Sequence, residues 1–120
     1  MADQKEMQIN DMILQMQNKL AIRPNDSNAL YTLSLLNSYL GHYDESIKYL
    51  SAMLKLTPNN PDVYYNIACI YGKQNNKEES IKYLKISTAK GFNKWSLLKN
   101  DSDLDILKTT TYYKEQINNH

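Results

Sequence analysis

Glycine, proline and cysteine are scarce in this chain, and each scarcity excludes a class of structure. The 120 residues include three glycines, three prolines and one cysteine. Apolar residues recur at intervals of three and four without sustained alternation, which favours helices over strands. The lone Cys69 forms no internal disulfide, and its apolar neighbours indicate a small buried residue rather than a reactive thiol. We therefore expect an all-α fold and a cytoplasmic protein.

The chain also lacks a strong excess of charge and a long apolar run. Its 14 Lys and Arg residues are balanced by 13 Asp and Glu residues, which argues against nucleic acid as the main partner. No 18 consecutive residues are apolar, and Asp3, Lys5 and Glu6 lie where a signal peptide would need an apolar run. We expect a soluble, untargeted chain that does not contact a membrane.

What the sequence does contain is an internal repeat. The hexapeptide Glu-Ser-Ile-Lys-Tyr-Leu begins at Glu45 and occurs again, unchanged, from Glu79. Apolar positions upstream agree at the same offset, and Pro24 and Pro58 are separated by that offset as well. A fixed period of this length predicts structural units that stack on one another to share a core.

Each unit reads as a pair of amphipathic helices joined by a tight turn. The predicted helices are 27–40 and 44–56 in the first unit, and 61–73 and 78–90 in the second. Asp26 and Asn60 precede the first helix of each pair, where a short polar side chain accepts an orphan backbone N–H. Gly41 and its counterpart Asn75 are the residues that best tolerate the left-handed conformation at a helix end. We therefore expect two helical hairpins.

The two hairpins resemble the tetratricopeptide repeat (TPR), a family of helical hairpins whose period equals the offset between Glu45 and Glu79. The matching first-helix residues are Leu30, Leu33 and Ser34 in one unit and Tyr64, Ile67, Ala68 and Tyr71 in the other. The small residues that the second helix requires are Ser46 before Leu50 and Ser80 before Leu84. These two serines replace the usual Ala, so we expect each hydroxyl to bond a carbonyl one turn back. Asn37 stands where the family has an aromatic residue.

The resemblance implies a TPR-like helical-hairpin solenoid, wound as a right-handed superhelix, in a single domain over 1–120. Its predicted parts are an N-terminal helix or half repeat at 1–26, repeats at 27–60 and 61–94, and a C-terminal cap at 95–120. Gly91 and Phe92 replace the closing proline of the second repeat, which indicates the end of the array. The cap resembles the segment that follows bacterial TPR arrays, with apolar contacts from Trp95, Leu98, Leu104, Leu107 and Tyr113.

Residue types that support catalysis or metal binding are sparse. His42 lies in a turn and His120 is the last residue, so there is no histidine pair with ligand spacing. Glycine-rich phosphate loops and nucleophile elbows are absent from the sequence. The acidic run 101–105 suggests calcium, but it lacks the glycine and terminal Glu of a calcium loop, and helix N-terminal carboxylates are the competing interpretation. We expect no enzyme activity, no metal and no cofactor.

The resemblance implies a binding surface instead, because the first helices of successive TPR units line a concave groove that holds a peptide or a partner's helix. The residues it assigns to that groove are Asn28, Tyr31, Thr32, Leu35, Ser38 and Tyr39 in the first unit, with Asp62, Tyr65, Asn66, Cys69 and Lys73 in the second. Tyrosines suit interfaces because they bury a large area and keep a polar tip. The competing interpretation is that they are half buried against neighbouring side chains. Helical phase assigns Cys69 to the groove, whereas its apolar flanks assign it to the core.

A protein or peptide partner is therefore the leading hypothesis. Carboxylate-gripping TPR modules of chaperone co-factors are disfavoured, since only Asn66 matches their ligand set while Tyr31 and Leu35 occupy slots for Lys and Asn. One alternative is self-association into a homo-oligomer through apolar contacts of Met7, Met12 and Met16 on the first helix. Another is an accessory segment of a larger enzyme.

Overall fold

A computed structural model describes residues 3–120, and the described part contains helices and no strand. The all-α expectation is confirmed. The chain forms two compact units: the first ends at Pro58 and the second runs from Asn59 to His120. This division falls close to the repeat boundary at 60 that the sequence predicts, while the grouping of all parts into one domain and the superhelical winding stay predictions.

The first unit consists of three helices, α1 (Gln4–Ile22), α2 (Ser27–Tyr39) and α3 (Tyr43–Leu56). Helices α2 and α3 form a hairpin, and α1 packs on α2. Helix α1 begins at Gln4 because the Asp3 carboxylate accepts a hydrogen bond from the backbone N–H of Glu6 and caps the helix. The buried apolar residues of this unit are Ile9, Ala29, Leu30, Leu33 and Leu50.

The second unit contains α4 (Pro61–Lys73), α5 (Lys77–Ala89), α6 (Trp95–Asn100), a 3₁₀ helix (Ser102–Leu107) and α7 (Thr111–Asn119). Helices α4 and α5 form the second hairpin, and the 3₁₀ helix packs on both. Its buried core includes Leu84, Phe92, Leu98, Leu104, Leu107 and Tyr113, with Trp95 packed against them. The apolar contacts expected of the C-terminal cap are therefore confirmed. These cap side chains are part of the core of this unit or pack against it.

The two hairpins repeat the same turn and cap geometry. Asp26 accepts a hydrogen bond from the backbone of Ala29, and Asn60 accepts one from Asp62. The turns contain Gly41 at φ +79° and Asn75 at φ +57°, both in the left-handed region. As expected, one turn conformation explains why glycine and asparagine occupy equivalent positions.

The buried serines of the second helices bond across their hairpins. The Ser46 hydroxyl donates to the Ser34 carbonyl at 2.7 Å, and the Ser80 hydroxyl donates to the Ala68 carbonyl at 2.8 Å. The expected bond one turn back occurs only as a longer 3.3 Å contact from Ser46 to His42. Each hydroxyl thus links the two helices of its own hairpin at the point where a small side chain allows close approach.

Candidate functional site

An exposed apolar and aromatic stripe runs along α2. Tyr31, Leu35 and Tyr39 are 39%, 52% and 58% exposed, and their spacing of four residues places them on one face of the helix. Among the other α2 residues assigned to the groove, Asn28 is exposed, Thr32 is half-buried and Ser38 is buried. We call Tyr31, Leu35 and Tyr39 the α2 stripe.

The C-terminal end of the α2 stripe borders a surface cavity. The cavity has a volume of about 240 Å³ and is lined by Asp3, Lys5, Glu6, Tyr39 and Leu40. The Lys5 ammonium lies 4.7 Å from the centre of the Tyr39 ring, within cation–π range. Hydrogen bonding to Tyr39 raises the pKa of Lys5 above its usual value, with a smaller contribution from Asp3. The cavity therefore combines one aromatic ring with one cation and two carboxylates.

The equivalent face of α4 is covered by the chain itself. Tyr65 is 3% exposed and Cys69 is 8% exposed. The Tyr65 hydroxyl donates to the Asp101 carboxylate at 2.7 Å, and its ring stacks on Phe92 with centroids 4.4 Å apart. Burial raises the pKa of the Tyr65 hydroxyl, and the neighbouring Cys69 and Asp101 raise it further. Tyr65 is therefore a core residue that holds the C-terminal segment.

Cys69 lies beside Tyr65 in the same contact. Its thiol donates to the Asp101 carboxylate at a sulfur–oxygen distance of 3.4 Å. Burial is the main cause that raises the pKa of the thiol, and the Asp101 carboxylate adds to it. Of the two interpretations that the sequence left open for Cys69, the structure supports the buried one. A protonated thiol in the core is also a poor nucleophile.

Two of the three remaining α4 residues assigned to the groove form ion pairs with residues that follow α5. Asp62 forms a 3.0 Å ion pair with Lys94, and Lys73 forms a 3.9 Å ion pair with Asp103. Asn66 is half-buried. The structure thus brings four of the five assigned α4 residues into contact with residues that follow α5 and leaves the α2 stripe exposed.

Gly72 is the residue on this face that the sequence analysis missed. A Cβ built at this position would overlap the backbone carbonyl oxygen of Asp103. Its equivalent in the first hairpin is Ser38, which has a side chain. A glycine in the interior of a helix costs stability, so its presence there without a turn was a readable signal that another backbone approaches closely.

Three potential metal-ligand groups meet at the same place. One ligand atom each from Cys69, Asp101 and Asp103 lies within 4.8 Å of the others. Asp101 already accepts hydrogen bonds from Tyr65 and Cys69, and its second carboxylate oxygen caps the 3₁₀ helix by accepting from the backbone N–H of Asp103. Asp103 faces the Lys73 ammonium. The acidic run therefore takes part in helix capping, as the competing interpretation held.

The N-terminal helix exposes apolar side chains of its own. Met7 and Leu14 are 58% and 57% exposed, Met12 is 44% exposed, and Met16 is half-buried against the rest of the first unit. Two of the three methionines considered for self-association are therefore accessible to a partner.

Comparison with known families gives a match for part of the chain. Residues 39–75 match the family model described as TPR repeat, a stretch that begins at the last residue of α2, includes α3 and α4 and ends in the following turn. The chain contains a TPR repeat. The TPR assignment accords with the constant offset of the two hairpins and with the small buried serines at equivalent positions. A search of curated proteins found no match to this chain.

The TPR repeat restricts the general class of activity. TPR repeats are typically non-catalytic motifs that mediate protein–protein interactions. Among residues 3–120, no helix combines the length and apolar character needed to cross a membrane. Within the same range, the α2 stripe is the largest set of exposed aromatic and aliphatic side chains on the hairpin helices.

Proposed function

We propose that the chain is a non-catalytic protein-interaction module whose α2 stripe contacts a peptide or helix of a partner protein. The observation that carries the proposal is the exposure of Tyr31, Leu35 and Tyr39 on one face of α2, the first helix of its hairpin. Large apolar side chains at helical spacing lose water-exposed area when a partner covers them, and tyrosine keeps a hydrogen-bonding tip.

In this proposal, the two hairpins have different tasks. The first-hairpin groove residues supply the partner contact, with Asn28 and Thr32 flanking the stripe. In the second hairpin, Tyr65 and Cys69 hold the C-terminal segment and are unavailable until that segment moves. A location in the cytoplasm stays a prediction of the sequence.

Site-specific photo-crosslinking tests the proposal. A photoreactive residue at position 35 or 39 should form adducts with the same protein in extracts of the source cells. A photoreactive residue at position 97 should not, although Leu97 is also well exposed, at 48%. The partner identified in this way is then purified, and its affinity is measured for Leu35→Asp and for the matched control Leu97→Asp. Loss of affinity in the control alone, or in neither variant, would exclude the α2 stripe.

Self-association is a second candidate function, and it is favoured by the exposure of Met7, Met12 and Leu14 on α1. Sedimentation of the purified chain at micromolar concentrations measures it directly. A dimer that Met12→Asp dissociates and Leu35→Asp leaves intact would assign the contact to α1. A monomer over the whole concentration range would remove this candidate.

A further inference from the structure

The α2 stripe and the covered face of α4 occupy the same positions of the repeat. At the offset that relates Glu45 to Glu79, Tyr31 corresponds to Tyr65 and Leu35 corresponds to Cys69. Helices α2 and α4 begin and end at equivalent residues, so their faces have the same helical phase. Residues 101–104 lie on this face of α4. The second unit therefore shows one kind of segment that can bind to the first helix of a hairpin in this chain.

That segment has a simple chemical pattern. Asp101 places a carboxylate against the Tyr65 hydroxyl at 2.7 Å, where a phenol donates to a charged acceptor. Three residues later, the Leu104 side chain is fully buried in the cluster that also contains Cys69. The face therefore accepts a carboxylate followed at a short interval by a leucine.

The α2 face retains the tyrosine that binds the carboxylate and differs at the two positions that follow it. Tyr31 provides the same hydroxyl as Tyr65, while Leu35 is larger than Cys69 and Ser38 is larger than Gly72. The room that Gly72 leaves for a backbone carbonyl is therefore absent on α2. A segment on α2 must lie farther out and make its contacts through side chains, for which the longer Leu35 is suited.

The tyrosine hydroxyl assigns the orientation of such a segment. The first turn of α2 contains no acidic residue, and the Asp26 carboxylate before it is engaged with the backbone N–H of Ala29, so Tyr31 is the donor for a carboxylate at this end. At the other end, Asp3 and Glu6 lie in the cavity beside Tyr39 and outnumber the single Lys5. A second carboxylate is disfavoured there, whereas an apolar side chain is not.

Building on the proposed function, we propose that the α2 stripe binds a partner segment in which a carboxylate precedes a leucine-like side chain by three residues. The carboxylate accepts a hydrogen bond from the Tyr31 hydroxyl, and the apolar side chain packs between Leu35 and Tyr39. The closest available probe is the chain's own sequence 99–105, Lys-Asn-Asp-Ser-Asp-Leu-Asp, as a synthetic peptide with blocked ends.

The test is a titration of the full ¹⁵N-labelled chain with this peptide, followed by NMR. We expect shifts at Tyr31, Leu35 and Tyr39 with a dissociation constant below about 1 mM. A peptide with Asp101→Asn should bind about tenfold more weakly, a difference of about 1.4 kcal/mol. Tyr31→Phe should abolish the difference between the two peptides, because it removes the donor that distinguishes them. Leu35→Asp should remove binding, and Leu97→Asp should not.

Three results would overturn the inference: no binding at millimolar peptide, equal binding of the two peptides by the wild-type chain, or shifts confined to α4 and α5, where the peptide would be displacing the cap. Each leaves the proposed function to be decided separately by the crosslinking experiment. A partner crosslinked at position 35 that lacks the carboxylate–leucine pattern would refute the inference and support the module.

Discussion

Gly72 and Asp103 touch through their backbones: the Asp103 carbonyl oxygen occupies the space that a Cβ at position 72 would need. This contact lets the 3₁₀ helix lie against α4, and it brings Asp101 within hydrogen-bonding distance of Tyr65. The C-terminal segment thus depends on one glycine for its position. The same position in the first hairpin, Ser38, allows no such approach.

Gly72→Ala should destabilise the second unit. Alanine favours a helix interior over glycine by about 1 kcal/mol, but the overlap with a backbone carbonyl costs about 1–3 kcal/mol or more. We expect a net loss of up to about 2 kcal/mol in the free energy of unfolding, measured by urea denaturation with the fluorescence of the single tryptophan, Trp95. An increase in stability would show that the 3₁₀ helix moves away from α4 at little cost.

The hydroxyls of Ser46 and Ser80 should each contribute about 0.5–1.5 kcal/mol, since each makes one buried hydrogen bond across its hairpin. Ser46→Ala and Ser80→Ala should lower the free energy of unfolding by that amount in urea titrations followed by circular dichroism. Ser51→Ala, at an exposed site on α3, is the control and should change it by less than about 0.5 kcal/mol. Equal effects at Ser51 and Ser46 would refute a role for the cross-hairpin bond.

The second unit should lose stability in alkaline solution. The pKa values of Tyr65 and Cys69 are raised in the folded chain, mainly by burial, so the folded state holds these protons more tightly than the unfolded state. This contribution is fully present below the unfolded pKa values and declines as pH rises beyond about 8, first as the unfolded thiol ionises and then, near pH 10, as the unfolded phenol does. Urea midpoints from pH 7 to 10.5 measure the decline.

Tyr65→Phe and Cys69→Ala serve as the variants for that experiment. Each removes one ionising group, so the alkaline decline of the urea midpoint should be shallower than in the wild-type chain, even though Tyr65→Phe also loses the bond to Asp101 and starts from a lower stability. If both variants decline as steeply as the wild type, other groups cause the alkaline loss.

The Cys69 thiol should react slowly with a disulfide reagent at pH 8 while the chain is folded. Burial and the raised pKa both reduce the amount of accessible thiolate. Labelling should be fast in urea, where the thiol is exposed. Gly72→Ala should accelerate labelling of the native chain, because displacement of the 3₁₀ helix uncovers Cys69. Fast labelling of the folded wild-type chain would place Cys69 at an accessible surface.

Much of the fold could be predicted because the signals are local. The first residues of α2 and α4 follow from the N-caps Asp26 and Asn60, which accept hydrogen bonds from backbone N–H groups two or three residues away. The turn at Gly41 and Asn75 follows from backbone conformation alone. Such interactions involve neighbours in sequence, so they are readable without knowledge of the tertiary structure.

Local signals did not show which of the predicted groove residues are exposed and which are buried. Tyr31 and Tyr65 have the same residue type and the same helical phase, yet one is exposed and the other is buried. The difference is made by Asp101, which lies 36 residues beyond Tyr65. Helical periodicity describes which residues share a face, but it does not specify which distant segment covers that face.

The sequence by itself determined two helical hairpins at a constant offset, with their caps and turns, since capping and turn chemistry act within a few residues. The apolar residues of the C-terminal cap followed from the resemblance to TPR arrays. Only the tertiary structure decided that Tyr65 and Cys69 hold the cap and that Tyr31, Leu35 and Tyr39 are left exposed. The physical reason is the close approach of two backbones at Gly72, a contact between residues far apart in the chain.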